Sequence, residues 1–189
     1  MTDQQAGIVA DEIISLYDKY GAEDYIGEPV SQIEHMMQCA MLAEESGADE
    51  EVALAAFFHD IGHFCEHIMP AENMDGYGVV DHEKLGADYL LSKGFSGKIS
   101  RLVISHVAAK RYLTFKYPEY FSALSEASKK TLEFQGGVMS AGEAAAFESD
   151  PLFPQYIQLR RWDEQAKDEN VPLLPLEKFR GLIIRHLTD

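Results

Sequence analysis

A succession of amphipathic helical segments, each closed by its own stop signal, leaves this chain little room for anything but an all-α fold. Apolar residues recur at three- and four-residue spacing, the period of a helix with one buried face. Ile8, Ile13, Leu16, Tyr17 and Tyr20 mark one such face, and Gly21 closes it. Pro29 suits a first helical position and opens a second helix that runs to about Ser46 and stops at Gly47. Asp49 caps a third helix, with Glu50 and Glu51 in the first turn, where they complement the helix dipole. That helix carries Val52, Leu54, Ala55, Phe57 and Phe58, and reaches His59 near its C-terminal end. A loop containing Gly, Asn and Pro follows over about 64–80. Asp81 caps a fourth helix ending at Gly94, and Ser96 starts a fifth with Ile99, Leu102, Val103, His106 and Val107 on one face. Ser125 opens a short helix that "FQGG" ends, and "SAGE" at 140–143 reads as a capping box. After Pro151 and Pro154 a helix carries Tyr156 to Ala166, and a last one runs from about Leu176 to Leu187. No segment reads as a strand or an internal repeat. The expectation for these 189 residues is one all-α domain, 1–189, with a core built from facing helices.

The formal net charge is −16. Nucleic acid and anionic membranes are bound through Lys and Arg, so a surface this acidic disfavours both. Solubility explains it plainly. The charge also means that an anionic substrate would need a locally basic pocket. Cys39 and Cys65 make no disulfide framework; both lie in apolar helical stretches and read as buried free thiols of a reducing compartment. The stretch "MTDQQAGIVADEII" lacks the basic and long apolar runs of a signal peptide, and no window approaches a membrane span. The expectation is a soluble cytoplasmic protein without nucleic-acid or membrane partners.

The stretch "LAAFFHDIGHFCEHI", residues 54–68, spaces His59, His63 and His67 four apart and sets Asp60 directly after His59. Three more histidines, His35, His82 and His106, fall on other helices, each with apolar neighbours on its own face. A single inward histidine is most often a satisfied core residue. Four of them on four consecutive helices are harder to satisfy separately, because buried unpaired imidazoles cost free energy. A shared metal would satisfy all four. Imidazoles with carboxylates suit iron, manganese or zinc, and the two oxygens of Asp60 could bridge two ions. One ion would take His35, His59 and a later aspartate; the other would take His82 and His106. Asp163 in "LRRWDEQAK" is the best later aspartate, since it sits inside an apolar helix pattern beside Trp162. Asp81 reads simply as an N-cap. His63, one turn beyond His59, either faces the same cavity or is plain packing. His67 and His186 read as surface or loop residues.

His35, then His59-Asp60, then Asp163 resemble the H…HD…D signature of the HD-domain superfamily, an all-helical metal-dependent fold whose members are mostly phosphohydrolases. The added His82 and His106 resemble its di-metal branch, which includes mixed-valent di-iron oxygenases. "YIGE" at 25–28, "HDIGH" at 59–63, "SHVAAKRYL" at 105–113, "SKKTLEFQGGVMS" at 128–140 and "DPLFPQYIQLRRWDEQAK" at 150–167 are similar to segments of the 2-amino-1-hydroxyethylphosphonate dioxygenase (glycine-forming) family and its trimethylamino-substrate relatives.

The resemblance implies two irons, Fe(II)/Fe(III), and oxidative cleavage by O2 of the C–P bond of an (R)-1-hydroxy-2-(amino or trimethylamino)ethylphosphonate. The products would be glycine or glycine betaine plus phosphate, and an upstream 1-hydroxylase would be a pathway partner only. It also implies a mobile lid over 21–30, in which Tyr25 reaches toward the metal and Glu28 meets the substrate amine. With the metal pattern in place, Lys110, four residues after His106, and Arg160, three before Asp163, read as the basic pocket for an anion, with Ser128 and Gln135 as neutral donors. A primary ammonium wants hydrogen-bond acceptors and a trimethylammonium wants aromatic faces; the sequence leaves both open. The ligand set by itself also permits an HD-domain phosphohydrolase acting on a nucleotide or phosphate ester through metal-activated water.

Overall fold

The computed structural model describes residues 1–189. The chain folds into α1 (Asp3–Tyr20), α2 (Gln32–Glu45), α3 (Glu50–Phe58), α4 (Gly62–Cys65), α5 (His82–Ser92), α6 (Gly97–Lys116), α7 (Pro118–Ala123), α8 (Glu126–Phe134), α9 (Ala141–Glu148), α10 (Phe153–Gln165) and α11 (Leu176–Thr188). No strand forms; single bridges between Asp24 and Ser31 and between Asn73 and Val79 pin two loops. The all-α expectation holds. No helix is long and apolar enough to cross a membrane, and Cys39 and Cys65 are buried free thiols.

The longest helix, α6, packs against α5, α3 and α10, while α2 packs against α3 and α10. These five helices surround the buried histidines. α1 and α11 pair with each other and close the α3 side. Every residue of α3 from Val52 to Phe58 is buried, so this helix has no solvent face to orient it and depends on its neighbours. Phe57 lies between Tyr17 of α1, stacked at 4.3 Å, and Phe179 of α11, stacked at 4.0 Å. Phe58 meets Phe95 edge-on. The Tyr17 hydroxyl donates to the Phe57 carbonyl at 2.7 Å, satisfying one of the orphan carbonyls of the last turn. The helix end that carries His59 and Asp60 is therefore held from both sides.

Several expected starts differ. α2 begins at Gln32, not at Pro29, because residues 24–31 form a turn in which the Tyr25 N–H donates to the Val30 carbonyl. Ser31 is the cap, and Glu34 returns to the Ser31 N–H at 2.7 Å, a full capping box. Asp81 stands at the N-cap of α5 but in the left-handed region, φ 52°, with no side-chain cap bond. It serves as a backbone turn, accepting from the N–H groups of Lys84 and Leu85 through its carbonyl. The one-turn α4 occupies the start of the expected 64–80 loop, and α7, opened by Pro118, lies where no helix was expected.

Gly62 and Gly86 bring α4 and α5 together. A Cβ on Gly62 would lie 1.9 Å from the His82 carbonyl oxygen, and one on Gly86 would lie 3.0 Å from the Gly62 nitrogen. Only glycine at 62 lets the backbone beyond Asp60 touch the start of α5, and that contact places His82 beside Asp60.

Candidate metal centre

Four imidazoles converge on Asp60. His35 comes from α2, His59 from the end of α3, His82 from the start of α5 and His106 from the middle of α6; all four are buried, as is Asp163 on α10. Each ring is tied at Nδ1 to a backbone carbonyl: His35 to Ala166 at 2.9 Å, His59 to Ala56 at 2.8 Å, His106 to Val103 at 2.7 Å and His82 to Val79 at 3.3 Å. A carbonyl can only accept, so Nδ1 carries the proton in every ring. In the neutral imidazole that leaves Nε2 a bare lone pair.

These lone pairs face one another. His35 Nε2 lies 2.9 Å from His59 Nε2, and His82 Nε2 lies 3.0 Å from His106 Nε2. Two acceptors at such distances repel unless a cation sits with them. Asp60 divides its oxygens between the pairs. Oδ2 is 3.5 Å from His35 Nε2 and 3.4 Å from His59 Nε2, and Oδ1 is 3.3 Å from both His82 Nε2 and His106 Nε2. Asp163 Oδ1 lies 3.4 Å from His35 Nε2 and, though buried, has no hydrogen-bond partner. Its other oxygen is held by Arg160. Two groups of ligand atoms result: His35, His59 and Asp163, and Asp60, His82 and His106. The orphaned carboxylate oxygen and the opposed lone pairs fit bound metal.

Burial alone would push both carboxyls up. The surrounding imidazoles, His59 first, outweigh burial and hold Asp60 well below the usual range; the Arg160 charge does the same for Asp163. Both are carboxylates.

A narrow cleft of about 70 Å³ opens onto this cluster. The expected pocket residues Tyr25, Glu28, His63, Lys110, Ser128, Gln135 and Arg160 all line it. Lys110 is buried, and its ammonium donates to Thr131 Oγ1 at 2.9 Å. Burial, then the neighbouring Arg160 charge, lowers its pKa to about 7. Arg160 is also engaged within the protein: Nε donates to the Tyr120 hydroxyl at 2.9 Å, Nη1 to Asp163 and Nη2 pairs with Glu164. It is a braced partner of Asp163 more than a free anion clamp. The His63 ring stacks on His82 at 4.2 Å, and its Nδ1 accepts from the Val79 N–H, so its own proton sits on Nε2. Burial first, and the neighbouring His82 after it, lower its pKa to about 3. A Cβ on Gly78 would lie 2.6 Å from His63 Cε1, so glycine there leaves room for the ring.

From the segment 21–30, Tyr25, Ile26 and Glu28 stand on the cleft wall. Tyr25 stacks on the His35 ring at 3.9 Å, and Glu28 pairs with Lys167 at 2.9 Å. His67 stays outside, exposed and stacked on Tyr20, and His186 accepts from the Ser96 N–H on the far side of the fold. The sequence reading passed over Gln32, Met74, Tyr77 and Thr131, which also line the cleft. Helical spacing held a signal for two of them: Gln32 precedes His35 by three, and Thr131 follows Ser128 by three.

Residues 33–133 match the HD domain family, and the chain belongs to it. Within that family it falls among phosphonate dioxygenases, an enzyme class. It is 44% identical over 161 residues to 1-hydroxy-2-(trimethylamino)ethylphosphonate dioxygenase (glycine-betaine-forming) of Leisingera caerulea, covering 85% of this chain and 81% of the relative. It is 37% identical over 161 residues to hydroxymethylphosphonate dioxygenase of Gimesia maris, covering 83% and 78%. An uncharacterised protein of Acanthamoeba polyphaga mimivirus is 47% identical over 177 residues, covering 94% and 81%.

Proposed function

We propose that this protein is a di-iron dioxygenase that cleaves the C–P bond of an (R)-1-hydroxy-2-(amino or trimethylamino)ethylphosphonate. The carbon bearing the hydroxyl becomes the carboxylate of glycine or glycine betaine, phosphorus leaves as phosphate, and one O2 supplies the two added oxygen atoms. The observation that carries the proposal is the division of Asp60 between two imidazole pairs, with a buried lysine on the wall of the same cleft.

His35, His59 and Asp163 would hold one iron, His82 and His106 the other, with Asp60 shared. A bound Fe(II)/Fe(III) pair supplies Lewis acidity toward the substrate oxygens and the redox capacity for O2. The chain supplies the rest. Lys110 has only a neutral partner, Thr131, so its charge is available to a phosphonate, and an incoming dianion would raise its pKa and keep it protonated. Ser128 and Gln135 stand on the same wall as neutral donors. Arg160 holds Asp163 in place and adds positive field. His63 offers an Nε2–H. Tyr25 and Glu28 belong to the lid segment 21–30, which excludes water. A cleft of about 70 Å³ holds only a few waters, so substrate entry requires the 21–30 segment to move. The substrate and O2 are small molecules that diffuse in, and a separate 1-hydroxylase would form the substrate. The setting we infer is the cytoplasm.

The test is phosphate release by protein loaded anaerobically with iron, with and without O2, from each phosphonate. Oxygen-dependent release supports the proposal. Release that ignores oxygen, or turnover of nucleotides with neither phosphonate cleaved, would instead assign the phosphohydrolase chemistry that the same ligands permit.

A further inference from the structure

Gln32 opens α2, three residues before His35, so its side chain shares that ligand's helix face one turn nearer the 21–30 segment. It lines the cleft, is only 7% exposed, and its Oε1 has no hydrogen-bond partner. Its backbone is fixed separately, by donation from its N–H to the Glu23 carbonyl at 2.9 Å. The side chain is therefore not needed to hold the turn, and a buried acceptor left unpaired is costly. Gln135 Oε1, just past the end of α8, is also unpaired, but that residue is only half-buried.

The polar groups of the cleft divide by wall. The α6 and α8 wall presents Lys110, Ser128 and Thr131, which can donate to a phosphonate. The wall formed by residues 25–28 and the start of α2 presents acceptors, Glu28 and Gln32. Glu28 Oε1 is already paired with Lys167, which offsets its charge, and Gln32 Oε1 is the buried acceptor there that has no partner. Resting on the phosphonate reading above, we propose that Gln32 Oε1 accepts an N–H from the substrate's 2-ammonium group. It then acts as a specificity residue, favouring a nitrogen that carries hydrogens over a fully methylated one. A trimethylammonium has no N–H to give and is held instead by aromatic faces, and one face of Tyr25 is already covered by His35.

The experiment is anaerobic calorimetric titration of the iron-loaded protein with 1-hydroxy-2-aminoethylphosphonate, its trimethyl analogue and hydroxymethylphosphonate. Wild type is compared with Gln32→Leu and Gln32→Glu, and iron content confirms an intact centre in each. Gln32→Leu should weaken the primary amine about tenfold or more and move the other two ligands by no more than about twofold. Gln32→Glu keeps an acceptor and should retain amine binding. Should Gln32→Leu fail to hold iron, Gln32→Met makes the same comparison. Equal weakening of all three ligands by Gln32→Leu would overturn the assignment, since it would mean a contact to the hydroxyl or the phosphonate. So would an unchanged primary amine, or loss of every ligand in Gln32→Glu, which would mean the amide donates. If wild type binds none of the three, the phosphonate reading itself fails and the Gln32 assignment falls with it.

Discussion

Replacing Asp60 with asparagine should separate the two ligand groups. Asp60 is the only carboxylate within 3.5 Å of His82 Nε2 or His106 Nε2, whereas the His35 and His59 pair keeps Asp163 Oδ1. Asp60→Asn preserves shape but presents an N–H2 to one of the pairs, and a donor aimed at a cation is repulsive. The expected stoichiometry falls from two metal ions per chain to at most one, retained by His35, His59 and Asp163. A site filled at a hundredfold excess over its dissociation constant adds ~2.7 kcal/mol. For a chain of this size, at ~2–4 °C per kcal/mol, that corresponds to about 5–11 °C in Tm for each site. Metal should therefore raise the Tm of wild type by up to about twice the rise seen in Asp60→Asn. The assays are elemental analysis of desalted protein and thermal unfolding with and without metal. Two tightly held ions in Asp60→Asn, or equal metal-induced shifts in both proteins, would refute the shared-carboxylate reasoning.

Gly62→Ala places a Cβ into the His82 carbonyl; unfolding should show a loss of roughly 2–4 kcal/mol, and metal affinity should fall although no ligand has changed. Tyr17→Phe leaves the Phe57 carbonyl unpaired while the ring stack remains, a cost of about 1–2 kcal/mol read by denaturant titration. Lys110→Met should abolish phosphonate binding yet stabilise the metal-free protein at pH 6. The folded pKa of Lys110, about 7, lies below its unfolded value of ~10.4. The penalty of charging it inside the fold is thus fully present below pH 7 and relieved as pH rises through that window. Wild-type stability should accordingly climb between pH 7 and 10 relative to Lys110→Met, and parallel pH profiles of the two would contradict this.

Four helix starts that carry a side-chain cap were legible. Asp49, Ser96, Ser125 and Ser140 each bond a backbone N–H of the helix they open, and that chemistry is local. The misplaced starts followed rules that were real but weaker. Pro29 fits a first helical position, but the reciprocal bonds between Ser31 and Glu34 fix the helix three residues later. Asp81 looked like a cap, yet the close approach of Gly62 to His82 sets the entry into α5 and turns Asp81 to positive φ. α7 escaped notice because Pro118 follows directly on a 20-residue helix and reads as its terminator. The pairings made by Thr131, Tyr120 and Lys167 were not legible, although spacing from Ser128 hinted at the face Thr131 shares. Their meaning comes from contacts to Lys110, Arg160 and Glu28 across 21 to 139 residues of sequence.

The two halves of the centre differ in a way that spacing could not reveal. The cleft is lined by Asp60, His82, His106 and Asp163, but not by His35 or His59. His35 is covered by Tyr25, and its group has Asp163 restricted to a single free oxygen by Arg160. The His82 and His106 group has no carboxylate beyond the shared Asp60, and His63 stacks over it with an Nε2–H to offer. An ion held by this group would have fewer protein ligands and more of its coordination left to water or substrate, and His82 and His106 themselves line the cleft. The stacking of Tyr25 on His35 therefore covers one imidazole pair, while the other pair lies on the cleft wall.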